Sequence, residues 1–275
     1  MGDMDGKIAL VTGAAGAIGK PMCEELARRG ATVVMAGRGE KMANAAAEVK
    51  RATGSSRIET LELDLGSLSS IRNAVGELKR RFGKLHVLIN NAAVFNKERR
   101  TTSDGFEQVF GTNHLGHFLL TNLLVDTLKA SAPARVVMMT MGTNVAIKFD
   151  DLMSEQKFSA LDALQMSKGA ITCFAVELAD RLRGTGVSVN AVNPELTKST
   201  LPREAPLPLR LVFAVFGASP ETSQAYATRV ACDAEFADIT GRFYRKRVEK
   251  PVPAIYTDKV VRERLWNESA RRVGL

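Results

Sequence analysis

Lys7 to Gly30 reads KIALVTGAAGAIGKPMCEELARRG, and this stretch decides the fold. Ile8 to Val11 is an apolar, partly β-branched run of the length of a buried strand. A glycine-rich turn, Gly13-Ala14-Ala15-Gly16-Ala17-Ile18-Gly19, comes next. A helical pattern follows, with Met22, Leu26 and Ala27 on one face. A strand running through such a turn into a helix leaves free backbone N–H groups and the positive helix end facing one point, which suits a diphosphate. The first glycine permits the tight turn and the last lets helix and sheet approach. Gly13, Ala15, Gly16, Ala17, Ile18 and Gly19 are therefore the expected phosphate cradle. An ordinary βα connection is the alternative reading, but the flanking strand and helix patterns favour the cradle. In TGxxxGxG spacing from Thr12, Ala17 holds the middle glycine slot and Gly16 stands one place early, which puts one methyl near the diphosphate.

Working outward, Thr32 to Ala36 is a second strand ending in Gly37-Arg38-Gly39. An acid at this point would bind a ribose 2′-hydroxyl. Arg38 stands there instead and selects NADP(H) over NAD(H). A helix over Glu40 to Ala52 precedes a third strand, Leu61 to Leu65, with Asp64 at its end where an adenine would lie. Ser67-Leu68-Ser69-Ser70 caps the next helix. Leu85 to Ile89 is a fourth strand, leading into Asn90-Asn91-Ala92-Ala93. A long helix holds Thr112 to Phe118 near its start, strand five is Arg135 to Thr140, a helix carries Ser167-Lys168, and strand six is Val187 to Val192. Phe243-Tyr244 is a last strand and Asp258 to Val273 a terminal helix. This alternation predicts an α/β, doubly wound parallel sheet of Rossmann type, helices on both faces, in one domain over 1–275. Residues 197–220 hold four prolines and an apolar stretch, the pattern of a flexible substrate flap.

The 275 residues suffice for one large core, and 45% hydrophobic with 25% charged content is that of a globular chain. The longest apolar run, Leu211 to Phe216, is too short to span a bilayer, and no signal-peptide pattern opens the sequence. Cys23, Cys173 and Cys232 lack paired spacing, which suggests reduced thiols and a cytoplasmic setting. Formal charge is +8, but the basic residues are dispersed and cluster only at Arg242 to Arg247, with no aromatic interleaving of the kind single-strand binders use. A solvated basic surface is the reading, with nucleic acid excluded as a partner.

Thr12 to Gly19, Asp64, Asn90 to Ala93, Asn113 and Ser167-Lys168 together resemble the short-chain dehydrogenase/reductase family. Asn113-His114-Leu115-Gly116-His117-Phe118-Leu119-Leu120-Thr121, Phe149-Asp150-Asp151-Leu152 and Leu265-Trp266-Asn267-Glu268-Ser269 resemble its retinol-dehydrogenase-like branch, so the likeness spans the chain. It implies cofactor contacts at Asp64, Leu65, Asn91, Ala92, Lys168, Pro194 and Thr197, and a homodimer or homotetramer through the helices after Asn113 and Ser167. It also implies an Asn–Ser–Tyr–Lys active site. Asn113 takes the Asn position and holds a helix kink and a water, while Lys168 takes the Lys position, for the nicotinamide ribose and the phenol pKa.

The other two groups are replaced. Leu164 stands at the tyrosine position, Met141 at the serine position, and the family's Pro-Gly after strand six reads Pro194-Glu195. Loss of the acid removes about 10²–10⁴ in rate and loss of the donor to the developing alkoxide on the order of 10²–10³, the two acting as one unit. Thr140 or Thr143 are candidates to replace the serine, Glu195 or a water on Lys168 and Asn113 to replace the acid. His114 and His117 read as structural. Met141 and Leu164 imply an apolar chamber for a bulky lipophilic substrate. Three functions remain open: an NADP(H)-dependent oxidoreductase with an atypical site, a non-redox catalyst of the same fold (cyclisation, isomerisation or dehydration), and a non-catalytic NADP(H)-binding subunit.

Overall fold

The structure, a computed structural model, describes residues 2–194 and 219–275. Its strands are β1 (Ile8–Thr12), β2 (Thr32–Gly37), β3 (Ile58–Glu62), β4 (Val87–Asn90), β5 (Ala134–Met139), β6 (Val187–Asn193), β7 (Phe243–Arg245) and β8 (Val248–Lys250). They form one sheet in the order β3-β2-β1-β4-β5-β6-β7-β8. Every pairing is parallel except β7 with β8. Strand alternation sends Leu10, Val34 and Ala36 to one apolar core and Ala9, Val11, Val33 and Met35 to another on the opposite face.

Helices cover both faces, as the doubly wound reading requires. On one side lie α1 (Gly19–Arg28), α2 (Glu40–Thr53) and α7 (Pro220–Cys232). On the other lie α3 (Leu68–Phe82), α5 (His117–Ala130), α6 (Ala160–Arg181) and α9 (Lys259–Val273). Short turns, α4 (Gln108–Phe110) and α8 (Ala254–Thr257), complete the set. The strand order reverses between β1 and β4, so the segments after these strands, Gly13 onward and Asn91-Ala92, flank the crevice where a parallel sheet binds ligands.

Four boundaries depart from the sequence reading. The third strand is Ile58–Glu62, not Leu61 to Leu65, because it pairs with β2 only as far as Gly37↔Glu62. Leu63 and Leu65 are buried beyond the ladder, which explains their misleading pattern. The fourth strand starts at Val87: Leu85 N–H donates to Ser131 Oγ, and at His86, whose backbone still bonds to Ile8 O and Arg135 N–H, the ring Nδ1 accepts the Ile8 N–H. The helix holding Asn113 opens with a π-helical segment, Gly111–Gly116, before α5. Phe243-Tyr244 extends into a hairpin whose second strand is exposed and charged.

The terminal helix α9 lies across α6 and the start of α5. Trp266 stacks near Phe118 and Phe174, with ring centroids 5.0 and 5.7 Å away, under the Arg181 guanidinium. Arg262 is held between Asp180 at 2.6 Å and Glu177 at 3.4 Å. Among the described residues no helix is long and apolar enough to cross a membrane.

Candidate active site

The phosphate end is built largely from backbone. Gly13 adopts φ +63°, and a Cβ there would stand 2.9 Å from the Ala92 Cα. A Cβ on Gly19 would meet Gly13 O at 2.4 Å, so neither position has room for a side chain. Gly16, more open, turns the chain through its N–H to Gly13 O at 3.0 Å. Ala15, Ala17 and Ile18 complete the turn, and α1 opens at Ile18 without a side-chain cap. A cradle that a Cβ would fill, at an uncapped helix start, fits a diphosphate.

Thr12, which opens the motif but has no role in the sequence reading, ties this turn to the far wall. Its Oγ1 accepts from the N–H groups of Asn91 at 2.9 Å and Ala92 at 3.0 Å. The Asn91 amide returns a bond to Thr12 O at 2.9 Å. His117 Nδ1 lies 2.8 Å from Asn113 O and its Nε2 3.0 Å from Thr12 Oγ1. An N–H on Nδ1 satisfies the carbonyl and leaves Nε2 to accept from the threonine. Burial lowers the His117 pKa to about 4 and that of His114, bonded to Ser269 Oγ, to about 3. Both are neutral structural groups, as expected of them.

At the adenosine end, Arg38 does not stand alone. Its Nη1 is 3.5 Å from Asp64 Oδ2, and Glu62 Oε2 accepts from Gly39 N–H at 3.1 Å. The sequence reading found no acid at the end of β2; acids arrive from the neighbouring strand, whose register the sequence does not print. Asp64 also accepts from Gly66 N–H at 2.8 Å. The Leu65 carbonyl presses on Gly116, where a Cβ would come within 2.3 Å.

At the expected catalytic end Asn113 and Lys168 are both buried. Asn113 Oδ1 accepts from Val94 N–H at 2.8 Å, and its amide donates to Val94 O and to Ser167 Oγ, each at 3.1 Å. It thereby pins the segment after β4 to α6. Lys168 Nζ donates to Met139 O at 3.0 Å, and burial lowers its pKa to about 8. Leu164 lies one helical turn before Lys168 on the same face, half-buried like Met141.

Neither threonine fills the serine's role. Thr140 Oγ1 bonds to Lys168 O and Thr172 Oγ1, inside the α6 packing. Thr143 is buried and accepts from Val145 N–H. Tyr256 is fully buried against Gly169 and donates to Val145 O at 2.8 Å. The Asn193 amide joins the loops after β5 and β6, accepting from Gly142 N–H and donating to Pro194 O, each at 3.0 Å. Glu195, Thr197 and the expected flap lie outside the described residues, except that Ser219 caps α7 at its Thr222 N–H and Pro220 begins it.

Residues 7–207 match the family model described as short chain dehydrogenase. The chain belongs to that family. It is 41% identical to retinol dehydrogenase 13 of Homo sapiens, over 98% of this chain and 85% of that protein. It is 38% identical to retinol dehydrogenase 14 of Mus musculus, over 100% and 88%. A solved Mycobacterium paratuberculosis protein, described as putative and uncharacterized, superposes with a TM-score of 0.79 at 28% identity, covering 98% and 94%. Pseudomonas aeruginosa RhlG, solved as an NADP active-site complex, gives 0.71 at 27% identity over 88% and 94%. The fold is thus that of a short chain dehydrogenase, a family that binds nicotinamide cofactors, related along its whole length to retinol dehydrogenases.

Proposed function

We propose that the chain is an NADP(H)-binding oxidoreductase with an atypical active site, acting on a bulky lipophilic substrate that needs little acid assistance, such as a conjugated carbonyl, an activated alkene or an iminium. The observation that carries this reading is the pairing of a closed cradle at Gly13 and Gly19 with a buried Lys168 whose face is lined by Leu164. The cofactor supplies hydride chemistry. The protein's share is positional: Lys168 can turn from Met139 O to ribose hydroxyls, Asn113 keeps the kinked segment rigid, and Leu164 with Met141 gives the reacting end an apolar wall. RhlG with NADP supports the choice of NADP(H) alongside Arg38. Three buried free thiols fit the cytoplasmic setting proposed with it.

A second reading is favoured by the fixed hydroxyls of Thr140 and Tyr256, which are committed elsewhere. With Leu164 four residues before Lys168, the same crevice suits a non-redox reaction using the cofactor as scaffold. The experiment is to incubate the protein with NADPH carrying deuterium at the transferable position and a panel of conjugated carbonyls, then analyse products by mass spectrometry. Deuterium on carbon is expected. Cofactor binding without label transfer, together with isomerised or dehydrated product, would replace the first reading with the second.

A further inference from the structure

Beside Gly39 the crevice wall is open: a Cβ there would meet nothing within 4 Å, and α2 begins at the next residue. A phosphate following Arg38 would find the Gly39 N–H as its neighbouring donor. That donor is already engaged, by Glu62 Oε2 at 3.1 Å. Glu62 is the last residue of β3 and stands in register with Gly37, so the sheet itself delivers this carboxylate to the end of β2. Asp64, two residues on, draws Arg38 to 3.5 Å. Glu40 and Lys41 in the first turn of α2 cancel in charge. Among the described residues, the corner therefore sets Arg38 against two carboxylates, Asp64 and Glu62.

We propose that Glu62 is a specificity-determining residue for the cofactor. It supplies from β3 the carboxylate that the end of β2 lacks: it can accept a ribose 2′-hydroxyl through its remaining lone pairs, and it repels a 2′-phosphate. Arg38 and Glu62 thus pull in opposite directions, and Glu62 holds the NADP(H) preference below what Arg38 alone would give. This inference rests on the NADP(H) reading of the same crevice.

The test is calorimetric titration of NADPH and of NADH into wild type, Glu62→Gln and Glu62→Ala at one ionic strength. Gln keeps the length and an amide oxygen for Gly39 N–H and removes only the charge; Ala removes both. Thermal melts confirm that both variants are folded. In each variant the NADPH-to-NADH affinity ratio should rise about tenfold, mainly through tighter NADPH. A ratio that stays put or falls in both, with binding intact, overturns the role of Glu62 and leaves the NADP(H) reading standing. Failure of wild type to bind either cofactor would overturn that reading and this inference together.

Discussion

The two ends of the crevice are built to different standards. At the phosphate end Gly13 and Gly19 have no space for a methyl group, and Thr12, Asn91, Ala92 and His117 lock the walls through four short hydrogen bonds. At the other end Asn113 and Lys168 are held by hydrogen bonds, and under the proposed function the proton-donor positions are taken by Leu164 and Met141, half-buried and apolar. On the proposed reading, a tightly specified cradle beside an apolar reacting end separates a binding requirement from a proton-transfer requirement.

The largest effect should come from refilling the empty end. Wild type should leave simple secondary alcohols essentially unoxidised, while Met141→Ser with Leu164→Tyr in a Glu195→Gly background should raise ketone reduction by at least about 10² over wild type. Loss of reduced-nicotinamide absorbance with a simple ketone measures it. Fast alcohol oxidation by wild type would break the contrast between the two ends. Next in size, Gly19→Ala should cost roughly 1–3 kcal/mol of stability and abolish measurable cofactor binding, since its Cβ would fall 2.4 Å from a carbonyl. Denaturant unfolding and titration would report both, and unchanged binding would mean that the cradle is looser than its geometry.

How much of this was legible beforehand differs between the ends in the same way. The cradle is local, so Thr12 to Gly19 announces it; that Leu164 and Met141 stand at catalytic positions is implied only by the family resemblance, counted from Lys168 and from strand five. What escaped depends on register or on side chains replacing backbone. Glu62 meets Gly39 only because β3 stops opposite Gly37. The π-helical segment at Gly111–Gly116 turns on a His117 ring occupying Asn113 O. Strand β8 is three exposed residues with no alternating apolar signal. Leu63 and Leu65 show the converse, a burial pattern without a strand.

Smaller effects sharpen the comparison. Arg38→Ala should remove most of the NADPH preference, roughly tenfold in the ratio of the two affinities by calorimetry. Lys168 should link the ends through pH. Its folded pKa of about 8 lies below the ordinary lysine value, so without cofactor the unfolded chain holds the extra proton and stability should rise as pH climbs from about 8 toward that value. NADPH affinity should move the other way, falling several-fold as the ammonium is lost above about pH 8. Melting curves and titrations across this range, with Lys168→Met as the flat reference, would show whether the two slopes oppose.

The terminal helix carries a different consequence. In α9, Trp266 and Arg262 occupy the surface of α5 and α6 through which a subunit of the family-like kind was expected to dock. A second copy docking where α9 covers α5 and α6 would first have to peel away this fifteen-residue helix, so self-association there would be a local unfolding equilibrium, with the concentration needed for assembly set by the docking free energy of one helix. The chain brings its own tenant to that site, and any assembly that leaves the helix seated must use another face.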